Sequence, residues 1–300
     1  MSSTRGCAMN ADDSAARVRG RTVVDRLMSS RSAIVAAVIL LLIVVPCAAA
    51  PIFARYSPVA QPDIITGKDL PPSGEHPFGT DGASRDILSR VLYGGRVSLS
   101  VALIATLVSI TLGTAYGAVA GFAGGRIDSA MMRLLDALLS IPRLLLLIAI
   151  FAAWRQLELS RFVVIVGCTG WYGLSRIVRG QVLATKAQEF VISARALGAG
   201  RARILLKHIL PNVLSPVIVA AALGVGQVIL LEAGLSYLGV GVRVPQPSWG
   251  NIIQDGSDQI VHLWWISLFP GLAIVATVMA FNMIGDALRS ALDPRQTVPR

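Results

Sequence analysis

Three hundred residues that are 54% hydrophobic and 15% charged lie far outside the soluble range, where roughly a quarter of residues carry charge, and the mean hydropathy of +0.66 agrees. The chain reads as an all-α integral membrane protein, so its net charge of +10 is to be judged by where it falls before it is taken as a nucleic-acid signal. Cys7, Cys47 and Cys168 are scattered and odd in number, and imply neither a disulfide framework nor a metal site.

Residues 1–32 form a basic leader with Arg5, Arg17, Arg19, Arg21, Arg26 and Arg31. The apolar run 33–53 follows, about the roughly 20 residues that a helix needs to cross a bilayer. Its basic flank stays in the cytoplasm by the positive-inside rule. Ala48-Ala49-Ala50 also has the small-residue character of a signal-peptide cleavage site, and either reading leaves residue 51 outside. Residues 54–95 break the composition with Pro58, Pro62, Pro71, Pro72 and Pro77, and read as an extracytoplasmic segment with little core. Within it, Asp81 to Arg90 is expected to be an amphipathic helix turning Ile87, Leu88 and Val91 to lipid, or else a solvated connector.

A permease-like core at 96–290 then holds apolar spans at 97–122, 130–153, 162–183, 213–238 and 263–285, each near the required length. Six crossings put both termini in the cytoplasm, with 291–300 as a cytoplasmic tail. On that topology the inner segments hold 19 of the 27 Lys and Arg against eight acids, and the outer segments hold eight of each. The positive charge is therefore a topology signal. In the third expected span, Ser140-Ile141-Pro142 should kink or unwind the helix. Arg143 beside it faces an aqueous vestibule on this reading, or snorkels to the inner interface.

Between the fourth and fifth spans lies a charged island, the loop 186–212. Residues 188–197 can form a short helix with Phe190, Val191, Ala194 and Leu197 on one apolar face. Gly198 and Gly200 break it. A second short helix is expected from Arg201 to Leu210, ended by Pro211. A loop tethered at both ends to membrane helices has little room to enter a major groove, so a DNA-binding helix-turn-helix is excluded despite the superficial pattern.

The sequence contains no phosphate-binding G-x-x-x-x-G-K-[ST] loop, no H-E-x-x-H and no G-x-S-x-G. No catalytic residue, metal ligand set or cofactor is read from it, which disfavours a membrane enzyme. Polar residues inside spans mark helix contacts or a solute path. The candidates for a translocation path are Arg143, Gln227, Glu232 and Asn282, with Asp286 beside the last. A stand-alone secondary transporter or channel would show similar halves with interrupted spans, and these are not evident.

Four stretches together carry a resemblance: His76-Pro-Phe-Gly-Thr-Asp81 through Tyr93-Gly94; Gly121-Phe-Ala-Gly-Gly125 through Ser140-Ile-Pro142; the loop 189–212; and Leu235-Ser-Tyr-Leu-Gly239 through Pro247-Ser-Trp-Gly-Asn251, Phe269-Pro-Gly271 and Leu292-Asp-Pro-Arg295. After residue 30 or so the chain resembles the second permease subunit of the dipeptide, oligopeptide and nickel class of binding-protein-dependent ABC importers. The resemblance implies the type I, MetI-like permease fold in a bacterial cytoplasmic membrane. It also implies a homologous permease partner, one or two cytoplasmic ATPase subunits, an extracytoplasmic binding protein and a peptide substrate, with nickel or another small solute as the alternative cargo. Membrane lipid is the remaining partner, and nucleic acid is none.

In this family the loop before the penultimate span carries a Glu-Ala-Ala … Gly … Leu-Pro pattern that docks an ATPase. With its glycine on Gly198, Leu-Pro falls on Leu210-Pro211, the second Ala on Ala194, and a hydrophobic position on His208. Ile192 stands where the family has Glu, and Ser193 where it has Ala. Glu189 is one helical turn from Ile192 and could supply the missing acid. The resemblance thus implies Glu189, Ala194, Arg195, Gly198, His208, Pro211 and Asn212 as the ATPase-coupling residues.

Overall fold

The computed structural model describes residues 23–63, 65–154 and 158–292, which leaves most of the leader and the tail from 293 outside the described residues. Regular structure in the described part is helical, apart from one isolated bridge between Thr80 and Asp86. The helices are α1 (Val23–Ser29), α2 (Arg31–Ala48), α3 (Ala50–Phe53), α4 (Ile87–Ala123), α5 (Gly125–Leu139), α6 (Arg143–Ala153), α7 (Leu159–Gly170), α8 (Tyr172–Lys186), α9 (Glu189–Ala196), α10 (Arg201–Tyr237), α11 (Trp249–Asp255) and α12 (Trp264–Leu292). Four of these, α2, α4, α10 and α12, are long and apolar enough to cross a membrane, and α5 with α6, bent by 70° to each other, meet the same measure as a pair. The bend falls at Ser140-Ile141-Pro142, where the proline cannot donate into the ladder.

The expected crossing at 162–183 is divided at Trp171 into α7 and α8, each too short to span alone. The division lies beside contacts made by two other helices. The carbonyls of Val166 and Gly167, in the last turn of α7, accept hydrogen bonds from Arg143 Nη2 and Ser109 Oγ, both at 2.8 Å. Side chains inserted at such carbonyls compete with the helix ladder.

α4 is the central element, with α8, α10, α7 and α2 packed along it. Its contact with α8 rests on Gly113, Gly117 and Gly121, spaced one turn apart. A β-carbon on Gly121 would lie 2.9 Å from the Arg179 carbonyl oxygen and 3.0 Å from Val182 Cβ, so only glycine allows this backbone approach. Two apolar clusters result. The larger gathers Trp249, Trp265, Ile266, Phe151 and Phe162 around α4 and α10. The smaller joins Ala118, Val178, Val182, Val191, Ile204, Ile209, Val213 and Val217 at the other end of α4. Arg26 of α1 donates to the Ala291 carbonyl at 3.3 Å, so α1 sits at the C-terminal end of α12. The part of the leader that is described forms α1 and the start of α2.

Residues 81–91 depart most from expectation. Asp81 and Arg90 are 1% exposed, Ile87 is fully buried and Val91 nearly so; neither a lipid-facing amphipathic helix nor a solvated connector is present. α4 starts at Ile87 because Asp86 caps it, accepting from Ser89 N at 2.8 Å and Ser89 Oγ at 2.7 Å. The other oxygen of Asp86 meets His76 Nδ1 at 2.8 Å. Arg90 pairs with Asp81, and with Asp255 of α11 at 2.8 Å, while Arg85 bridges the same two acids at 2.8 and 2.9 Å. Two tryptophans close the assembly: Trp249 Nε1 donates to Val91 O at 3.0 Å, and Trp265 Nε1 to Thr80 O at 3.1 Å.

Candidate functional sites

The loop 186–212 folds as a helix, a glycine-terminated turn and the first turns of α10. The end of α9 is a complete Schellman motif. Ala199 N donates to Ala194 O and Gly198 N to Arg195 O, both at 3.0 Å, and Gly198 takes the left-handed φ of +82° that the motif demands. Val191 is fully buried and Ala194 half-buried. Phe190, Ile192 and Leu197 are 44%, 55% and 88% exposed. The apolar face expected on α9 is therefore split, with Val191 anchored inward and the larger residues presented outward.

Pro211 does not end a short helix. α10 runs without a break from Arg201 to Tyr237, because residues Ile204–Ile209 widen into a π-helical turn. In that turn Leu210 N reaches back to the Leu205 carbonyl. The wider turn relieves the clash of the proline ring with the preceding turn. Asn212 Nδ2 donates to the His208 carbonyl at 2.7 Å, adding a side-chain bond one turn back at the end of this turn. Ile204 and Ile209 are buried, His208 is half-buried, and Glu189, Arg195, Pro211 and Asn212 are exposed. Arg195 also lines a basic cavity of about 330 Å³ with Lys186 and Arg201, against Phe122; Lys186 Nζ donates to the Phe122 carbonyl at 2.7 Å.

The intramembrane candidates separate into three places. Arg143 and Gln227 line one cavity of about 290 Å³, with Thr106, Ser109, Gly173 and Gly224 among its other walls. Glu232 does not reach it. That carboxyl is fully buried and accepts from Ser98 Oγ at 2.7 Å and Ser236 Oγ at 2.6 Å. The same two serine oxygens accept from Trp249 N at 3.2 Å and Val242 N at 3.0 Å. Glu232 thus ties α4 and α10 to the α11 region. Asn282 and Asp286 are exposed on α12, with Asn282 beside Gly226 of α10. Sequence reasoning missed Thr106, Ser109, Ser98 and Ser236, since small hydroxyls in apolar runs carry no local signal. It also missed the bidentate pair of Arg179 with Asp128, at 2.6 Å to each oxygen, whose members lie on separate helices.

Residues 113–298 match the family model of the binding-protein-dependent transport system inner membrane component. The chain belongs to this family. A second model, the N-terminal TM domain of oligopeptide transport permease C, matches residues 19–72. This permease is 41% identical over 271 residues to the dipeptide transport system permease protein DppC of Bacillus subtilis (strain 168), covering 90% of this chain and 84% of that protein. It is 44% identical over 222 residues to the oligopeptide transport system permease protein OppC of Haemophilus influenzae, covering 74% and 71%, and 43% identical over 220 residues to OppC of Escherichia coli (strain K12), covering 73% and 72%. It is a DppC/OppC-like, multi-pass permease of the bacterial inner membrane, and it departs from six unbroken crossings at two places, the bend between α5 and α6 and the division of 162–183 into α7 and α8.

Proposed function

We propose that this permease forms half of the translocation path of an ABC importer for di- and oligopeptides, and that α9 with Gly198 is the handle by which a cytoplasmic ATPase drives it. The observation that carries the reading is the split face of α9. Val191, with Ile204 and Ile209, is embedded in the cluster that includes Ala118 of α4, Val178 and Val182 of α8, and Val213 and Val217 of α10. Phe190, Ile192 and Leu197 are left outside as an apolar surface suited to a groove on a partner. A push on those residues would be passed through Val191 to α4, α8 and α10 moving as bodies. The peptide cargo follows from the names of the relatives, and the partner subunits from the family's role. The ATP would be hydrolysed by partner subunits.

Leu197→Asp tests the handle. It should leave the amount of folded permease unchanged, because an exposed position typically shifts stability within about 0.5 kcal/mol. It should also lower co-purification of the ATPase and peptide uptake by roughly tenfold, the loss of a little over 1 kcal/mol of docking. Retained ATPase and retained uptake would overturn the reading of α9.

A further inference from the structure

The cavity between α4, α6, α8 and α10 has one cationic wall residue and, among the described residues that line it, no acid. Arg143 spends part of its guanidinium on neutral acceptors, Val166 O at 2.8 Å and Thr169 Oγ1 at 3.4 Å. A guanidinium has five N–H donors in a planar fork, so several remain available. A cation without a counter-charge on the wall of a cavity within a membrane protein is costly to maintain. An anion with two acceptor oxygens answers it.

We infer that Arg143 forms a carboxylate-receiving station that takes the C-terminal α-carboxylate of a peptide in transit. The inference rests on the peptide-importer reading above and assigns that reading a recognition residue. The fork of an arginine matches the two oxygens of a carboxylate, and Gln227 on the same wall adds neutral hydrogen-bonding capacity. At about 290 Å³, the cavity has the volume of roughly ten water molecules. That is room for the terminal end of a peptide and too little for a folded ligand. Gly173 contributes no side chain and leaves open space where a β-carbon would stand.

The test uses the complete importer in proteoliposomes, with trialanine and its C-terminal amide as probes. Comparing the acid-to-amide uptake ratio between the native chain and Arg143→Gln cancels the contribution of the binding protein, which is common to both. The ratio should fall roughly tenfold or more in Arg143→Gln, the order expected for a charge-assisted hydrogen bond, and Arg143→Lys should restore part of it. An unchanged ratio overturns the inference. A native importer that moves neither probe would instead count against the peptide reading itself. Should Arg143→Gln abolish all uptake, a second measurement decides. Gly173→Cys, in a chain carrying Cys7→Ser and Cys168→Ser, is labelled in the assembled importer with a hydrophilic thiol reagent. Trialanine should slow labelling several-fold when Arg143 is present and not in Arg143→Gln, and the amide should slow it in neither. No slowing by trialanine with Arg143 present, or equal slowing by both probes, overturns the inference.

Discussion

The two ends of α4, about 55 Å apart at 1.5 Å per residue, are built on opposite plans. At its start, Arg90, Asp81, Arg85 and Asp255 form a network in which Arg90 and Asp81 are 2% and 1% exposed, with Trp249 and Trp265 hydrogen-bonded over it. At its finish the contacts are a glycine stripe and a small aliphatic cluster. The ion pair there, Arg179 with Asp128, is 33% and 11% exposed, and Phe190, Ile192 and Leu197 are left uncovered. A buried network of charges tolerates few arrangements, because displacing any member leaves an uncompensated charge out of water. Aliphatic contacts over glycine can slide. The first end therefore serves as a fixed lock between α4, α11 and the preceding segment, and the second as the yielding end on which a partner can act.

The largest expected effect breaks the lock. Arg90→Ala strands Asp81 in a buried site and should cost about 3–5 kcal/mol, seen as a large drop in the thermal unfolding midpoint of the detergent-purified permease. A midpoint within a degree of the native one would erase the contrast between the ends. Gly198→Val comes next. Its left-handed φ costs a branched residue about 1–3 kcal/mol, but the strain falls on the exposed turn after α9. Membrane insertion should therefore persist while uptake driven by ATP is lost, and a transport-competent variant would show that the geometry of the turn is immaterial. Glu189→Ala should do least. Glu189 and Ile192 are both exposed, so if Glu189 replaces the acid missing at 192, ATPase co-purification should weaken a few-fold with stability unchanged. Unchanged co-purification would leave docking to the apolar residues alone.

Legibility followed the range of the interaction. The break at Pro142 and the stop of α9 at Gly198 were evident because proline and glycine act on their own backbone. Pro211 misled for the same reason. Its local rule is to end a helix, and the π-helical turn that carries α10 past it is anchored by Ile204 and Ile209 in the cluster shared with α8. Ile87 and Val91 have the spacing of a lipid-facing stripe, and nothing in residues 81–90 reveals that Asp255, far along the chain, draws Arg90 inward. Of the four polar residues picked as a path, Arg143 and Gln227 share a cavity while Glu232 is consumed by Ser98 and Ser236. Spacing within one span could not separate them, since the deciding partners lie on other helices.

Residue identity alone was enough for the membrane environment, the placement of most apolar spans and the expected side of the basic loop. Those depend on hydropathy and charge summed over short stretches, where each residue contributes nearly independently of the fold. The partner of each buried polar group depended on helices brought together from distant parts of the chain. Arg90 and Arg143 are chemically the same side chain. The first is neutralised by Asp81 and Asp255 and holds one end of α4 shut; the second meets only a carbonyl and a hydroxyl on a cavity wall. Packing, which sets the distance to the nearest acid, made one a lock and left the other with donors to spare.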